Sequence, residues 1–217
     1  MHDYEAWEKY PQHHNWFNKL WVSEKLRYNC GPGGTAPKKS GYYIIRPIYN
    51  LSGMGVGARK VLIETGDLKA VQAGYFWCEW FHGRHYSATY EFVHDAKPFW
   101  KLISCFEGFS NPAMLQGFRE WKRSSYIPEV PRELNELSDV GLINVEFKNN
   151  KVIEVHLRDT PDPDYDHIIP TWMSDQLNGK VLSERNDKLR KDGYKWIKSF
   201  DDADGQLKDP RTGFWVK

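Results

Sequence analysis

Cysteine is scarce in this chain. Cys30, Cys78 and Cys105 are the three among 217 residues, and neither their odd number nor their spacing makes a disulfide frame or a zinc site. They read as reduced, buried thiols of a cytosolic protein. No run of about 20 apolar residues is present, which excludes a membrane-spanning helix, and the polar, aromatic start Met1 to Tyr10 lacks a signal-peptide profile. A soluble cytoplasmic protein is therefore expected. An excess of charge is also missing: 30 basic residues balance 29 acidic ones, so nucleic acid held by net charge is not expected. Internal repeats and low-complexity tracts are absent as well.

The chain does contain enough apolar residues, 40% of the total, to bury a core without disulfides or structural metal. Apolar spacing at Trp16, Phe17, Leu20, Trp21 and Leu26 predicts a helix over Trp16 to Tyr28, stopped by Gly31-Pro32-Gly33-Gly34. From there the pattern turns to β. Tyr42 to Tyr49 reads as a strand, Asn50 to Gly57 as a flexible loop, and Lys60 to Glu64 as the next strand. Further strands are expected near Gly74 to Phe81 and His85 to Val93, so that the first half forms an antiparallel sheet of hairpins. Pro112 to Trp121 could be helical, and a short helix is expected within Pro128 to Leu137. Leu142 to Phe147 and Val152 to Leu157 make a hairpin around Lys148-Asn149-Asn150-Lys151. The tail beyond Trp172 alternates helix-like and turn-like stretches, including Leu182 to Asp192.

Two clusters suggest chemistry. In the first, Arg46 sits among Ile44, Ile45 and Ile48, where a buried charge needs a partner, just before the loop Ser52-Gly53-Met54-Gly55-Val56-Gly57. That loop is neither a Walker A sequence nor a dinucleotide fingerprint, but its glycines let backbone N–H groups approach phosphate oxygens. In the second, Glu154, His156 and Arg158 alternate with aliphatic residues and share one strand face. Whether Glu146 joins them depends on the turn. A two-residue turn at Asn149-Asn150 places Glu146 and Glu154 on opposite faces, whereas a three-residue loop pairs them, an arrangement that calls for a divalent cation such as Mg²⁺ between them.

The order Tyr43-Ile44-Ile45-Arg46-Pro47, glycine-rich loop, Trp77-Cys78-Glu79-Trp80-Phe81-His82-Gly83-Arg84-His85, then Asn144-Val145-Glu146 with Ile153-Glu154-Val155-His156-Leu157-Arg158 resembles the ATP-grasp superfamily. The resemblance spans about residues 18 to 158, and the last hairpin is its most specific part. It implies an α+β fold of two lobes, each with an antiparallel sheet and flanking helices, holding ATP between them. The expected divisions are an N-terminal helical segment (1–40), a small ATP-binding lobe (41–95) and a larger lobe with the metal-binding hairpin and tail (96–217).

By the same resemblance, Arg46 and Lys19 contact the nucleotide phosphates, and Ser52, Gly53, Met54, Gly55 and Gly57 form the flap. Glu79, Trp80 and Phe81 form the hinge that reads adenine, and His85 takes the ribose position, where an acidic residue is common. Glu146, Glu154 and His156 hold Mg²⁺ or Mn²⁺, and Arg158 with Arg46 serves catalysis by stabilising charge near an acyl-phosphate. The implied reaction is ADP-forming ligation: ATP activates a carboxylate of a small molecule or peptide as an acyl-phosphate, and an amine or thiol displaces the phosphate. Members generally carry a substantial domain ahead of these lobes, and about forty residues precede the first strand here, so a protein partner is a candidate to complete the acceptor site. The alternative is a non-catalytic module, built on a decayed form of the fold, that binds nucleotide or nucleic acid. Basic and aromatic residues interleave for the latter at Phe118-Arg119-Glu120-Trp121-Lys122-Arg123.

Overall fold

The computed structural model describes residues 1–51, 54–110, 117–176, 179–203 and 205–217. Three short helical segments open the chain: α1 (Asp3–Lys9), a 3₁₀ segment (Pro11–Phe17) and α2 (Lys19–Lys25). The single helix expected over Trp16 to Tyr28 is therefore split. Asn18 has extended backbone and caps α2 by accepting the Trp21 N–H at 2.9 Å, which restarts the helix rather than continuing it. Arg27, in the left-handed region at φ 59°, follows the end of α2.

Two antiparallel sheets follow. The smaller has the order β1-β4-β2-β3, from β1 (Cys30–Pro32), β2 (Gly41–Pro47), β3 (Arg59–Ile63) and β4 (Tyr75–Glu79). Alternation on β2 sends Tyr43 and Ile45 into a core with Ile63, Val71 and Trp77, which leaves Ile44 and Arg46 on the opposite face.

The larger sheet runs β11-β12-β10-β7-β6-β5-β8-β9. Its strands are β5 (His85–Val93), β6 (Phe99–Ser110), β7 (Phe118–Arg123), β8 (Leu142–Lys148), β9 (Lys151–His156), β10 (His167–Trp172), β11 (Lys195–Asp201) and β12 (Arg211–Val216). A 3₁₀ turn (Arg132–Leu137), α3 (Met173–Gln176) and α4 (Gly179–Lys191) complete the elements. None of the described helices is long and apolar enough to cross a membrane. The N-terminal segments pack over β5, β8 and β9, where Trp16, Phe17 and Val22 join Tyr86, Tyr90, Val145, Phe147 and Val155 in the main core.

Several expectations change. β5, expected in the first sheet, pairs with β6 and β8 and so belongs to the larger one. The helix considered over Pro112 to Trp121 is the strand β7 at its C-terminal end, and 111–116 lie outside the described residues. The tail beyond Trp172, read as helix and turn, supplies the strands β11 and β12 besides α3 and α4. The connection Trp80 to Arg84 joins the sheets and is pinned to the β8–β9 turn: Asn149 Oδ1 accepts the Arg84 N–H at 3.0 Å. Gly83, at φ 117°, lies so close to Asn149 that a Cβ would fall 2.1 Å from its Nδ2.

Candidate functional site

A cavity of about 380 Å³ opens between the two sheets, within the size range of small-molecule sites. Ile44 and Arg46 of β2 line one side; Glu146 and Lys148 of β8, with Ile153, Glu154 and His156 of β9, line the other. Trp80 and Phe81 contribute from the inter-sheet connection, and Met54, Gly55 and Val56 from the glycine-rich loop. Phe118, Trp121, Pro170, Trp172 and Arg211 extend the wall from the remainder of the large sheet, and Asp162 from the connection between β9 and β10.

A β-bulge positions the acidic pair. Asn149, at φ 49°, helps form a two-residue turn that pairs Lys148 with Lys151 and Phe147 with Val152; the register then shifts, so that Glu146 faces Glu154. Ile153 is the extra residue. Val152 and Val155 both enter the core although they are three apart, while Ile153, Glu154 and His156 face the cavity. The two registers weighed from the sequence thus combine: the turn has two residues, and the bulge restores the pairing that a three-residue loop would have made. The bulge also bridges the sheets, because Arg46 Nη1 donates to the Ile153 carbonyl at 2.8 Å.

The groups facing the two carboxylates come from the chain itself. Lys19 Nζ lies 2.6 Å from Glu154. His85 Nε2 stands 3.3 Å from Glu146, and His156 Nε2 stands 3.9 Å from Glu146 and 4.0 Å from Glu154. Burial opposes ionisation of Glu146, but hydrogen bonding and charge from His156 and His85 prevail and hold its carboxyl well below the usual range.

Behind this wall, Asp3 of α1 accepts from Arg158 Nε at 2.7 Å and Nη2 at 3.0 Å, and meets His156 Nδ1 at 3.1 Å. Burial works against a charged His156, yet Asp3 overcomes both that and the repulsion of Arg158, and the imidazole is raised to about 9. Lys148 is lowered by burial, with Glu146 opposing. The thiols of Cys30, Cys78 and Cys105 are all pushed up, chiefly by burial, which makes them poor nucleophiles.

Of the residues expected at the site, Lys19, Arg46, Met54, Gly55, Trp80, Phe81, His85, Glu146, Glu154 and His156 line one cavity. Ser52 and Gly53 lie outside the described residues. Gly57 is in the loop at φ 77°, where a Cβ would press on Pro47 and Tyr75 at 3.1 Å. Glu79 is at the end of β4, turned to Asn29, whose N–H it accepts at 3.2 Å.

Two expected roles do not match the geometry. Arg158 is buried, spends its guanidinium on Asp3 and the Asp159 carbonyl, and does not line the cavity. An acyl-phosphate in the cavity is therefore not its partner. His156 turns Nδ1 to Asp3 at 3.1 Å, and its raised pKa disfavours the neutral imidazole that a metal needs. Glu146 and Glu154 are already matched by Lys19 and the two imidazoles, and among the described residues no three His, Cys, Asp or Glu groups are arranged to hold a metal ion. As arranged, the donor set does not fit Mg²⁺. Three basic side chains also line the cavity: Lys19 from α2, Arg46 from β2 and Lys148 from β8.

Lys148, Asp162, Arg211 and Asp3 were not anticipated. Lys148 was readable from alternation, since Asn144, Glu146 and Lys148 share a face of β8. Asp162 and Arg211 sit in polar, Pro-containing sequence without period, and nothing local marks Asp3.

No family model and no curated protein sequence matches the chain. Among solved structures, N5-carboxyaminoimidazole synthetase from Staphylococcus aureus, complexed with ADP, matches with a TM-score of 0.55 and 11% identity, over 93% of this chain and 68% of that one. An L-amino acid ligase from Bacillus licheniformis (TM-score 0.46, 15% identity) is matched over 67% of this chain and 41% of its own length. An ATP-grasp superfamily protein from Archaeoglobus fulgidus (TM-score 0.36, 16% identity) is matched over 68% and 47%. The chain thus spans less than half the length of these last two. It has an ATP-grasp-like fold, α+β, with two antiparallel sheets.

Proposed function

We propose that this chain binds ATP between its two sheets and uses it to activate a carboxylate. The observation that carries this reading is the convergence of Arg46, Lys19 and Lys148 on one cavity that Met54, Gly55 and Val56 of the glycine-rich loop also line. Trp80 and Phe81 offer flat apolar surface for a base at the other end. The loop residues Met54, Gly55 and Gly57 cover the phosphates, and Ser52 and Gly53 are assigned to the same flap by sequence.

In the reaction, a carboxylate oxygen attacks the γ-phosphorus and the bond to the bridging oxygen breaks, releasing ADP. An amine or thiol then adds to the acyl carbon and expels phosphate. Arg46, Lys19 and Lys148 stabilise the charge that moves between the phosphate groups. A divalent ion accompanying the nucleotide would neutralise further charge. Glu146 and Glu154 are the oxygen donors at hand, but Lys19 would first have to leave Glu154, and no step is assigned to the ion.

The non-catalytic reading keeps one point in its favour, the protein's own neutralisation of both carboxylates. Its nucleic-acid form has less support, since Phe118 and Trp121 line the cavity and contact each other with ring centroids 4.2 Å apart.

Titration with ATP and with adenosine, for the parent chain and Arg46→Ala, tests the binding. Loss of a charge-assisted contact should weaken ATP by about 1.5–3 kcal/mol and leave adenosine nearly unchanged. Equal losses would remove Arg46 from the phosphate site. ADP release over a panel of carboxylates and amines then separates enzyme from binder.

A further inference from the structure

The smaller sheet sets two of the three cysteines side by side. Cys30 of β1 and Cys78 of β4 are direct partners in the antiparallel ladder, followed by Gly31 opposite Trp77 and Pro32 opposite Phe76. Side chains of such partners leave the sheet on the same face. That face also carries Ile44, which stands opposite Cys78 on β2, and Ile44 and Cys78 both line the cavity.

The backbone hydrogen bonds decide which kind of pair this is. The Glu79 N–H donates to the Asn29 carbonyl at 2.8 Å, and the Gly33 N–H donates to the Tyr75 carbonyl at 2.9 Å. Residues 29 with 79 and 33 with 75 are therefore hydrogen-bonded pairs, and since the two kinds alternate along an antiparallel ladder, Cys30 with Cys78 is a non-hydrogen-bonded pair. In that kind the Cα atoms approach to about 4.5 Å and the side chains come closest. Disulfides span Cα separations of about 4.4–6.8 Å. The two thiols are thus placed for a bridge at the short end of this range, where strain leaves it open to reduction.

Burial sets the pace of any such reaction. Cys78 is 1% exposed, and Cys30 is half-buried. Burial pushes the Cys30 thiol up to about 12, with Cys78, Glu24 and Glu79 adding to the rise and Arg46 opposing it. The Cys78 thiol reaches about 11, again chiefly through burial, with Arg46 opposing. Thiolate is scarce at neutral pH, so oxidation is slow without being blocked.

We infer that Cys30 and Cys78 form a dithiol site that closes reversibly to a cross-strand disulfide, with a small disulfide as the oxidant. The thiolate of Cys30, the more exposed of the two, attacks one sulfur of the reagent, and the first small thiolate leaves from the mixed disulfide. The Cys78 thiolate then attacks the Cys30 sulfur and expels the second. Two electrons pass from the cysteine pair to the reagent, and the two cysteine protons end on the two released thiols. The bridge encloses β2, β3 and the glycine-rich loop in one covalent ring, and removes the Cys78 thiol from the cavity wall.

The test incubates the full folded chain with excess oxidised glutathione, counts the remaining thiols, and maps linked peptides by mass spectrometry. The thiol count should fall from three to one, with the Cys30 peptide joined to the Cys78 peptide, and dithiothreitol should restore all three. Because both thiols titrate far above neutrality, the rate should rise about tenfold from pH 7 to pH 8. Cys30→Ser should give no internal link, and Cys105, on β6 of the larger sheet, serves as the control within the same chain. The inference is overturned if the folded chain keeps all three thiols, if the link includes Cys105, or if bridging occurs only in urea.

Discussion

Asp3 and Arg158, 155 residues apart, form a buried bidentate ion pair that fastens the first helix to the back of the candidate site. His156 shares the same carboxylate. The N-terminal residues are thus part of the electrostatic framework behind Glu146 and Glu154.

Removing one member of such a group strands a charge, which is worse than removing both. Asp3→Asn should therefore lower stability by about 3–5 kcal/mol, and adding Arg158→Met should recover part of the loss. Urea denaturation of the two variants measures this. A single variant as stable as the parent would mean that the pair is solvated and weak.

The same cluster sets a pH dependence. His156 is raised from 6.5 to about 9, so its contribution is complete below pH 6.5 and is lost as pH rises through 9; the full span corresponds to roughly 3 kcal/mol. Asp3 is lowered, with His156 and Arg158 outweighing its burial, so its contribution holds above about pH 4 and is lost in acid. Stability should thus fall between pH 6.5 and 9, and His156→Gln should flatten that limb while leaving the acid limb. Denaturant midpoints at pH 6, 7.5 and 9 are the measurement. A parent curve without that alkaline slope would show that His156 is neutral at pH 7.

The parts of this site that could be read from the sequence are those on regular strands. Arg46 and Ile44 are placed by simple alternation on β2, and Glu146 with Lys148 by alternation on β8. The tail was harder. Arg211 enters the cavity because β12 inserts between β10 and β11, a long-range pairing with no local period to reveal it. Asp3 is harder still, since its partner follows from how α1 packs. Arg158 looked suited to substrate because strand alternation gave its face without showing what already covered that face.

The bulge at Ile153 was half visible, and it yields the last prediction. Apolar residues at 152, 155 and 157 break strict alternation, which is the mark a one-residue insertion leaves on a strand. Deleting Ile153 would join Val152 directly to Glu154, keeping Phe147 opposite Val152 and Glu146 opposite Glu154 in an unbroken ladder. Every buried side chain of β9 then keeps its face, so the fold should survive, unlike a register slip, which would turn the core residues outward. What disappears is the carbonyl that accepts from Arg46 Nη1 at 2.8 Å. Arg46 loses its anchor across the cavity while its charge remains. A binding site that depends on placement of this guanidinium should weaken for ATP by about tenfold or more, with adenosine little affected. The deletion variant should unfold cooperatively in urea, confirming an intact core, before its nucleotide titration is compared with that of the parent. ATP binding at parental strength in the folded variant would show that the Ile153 bulge serves only the shape of the strand.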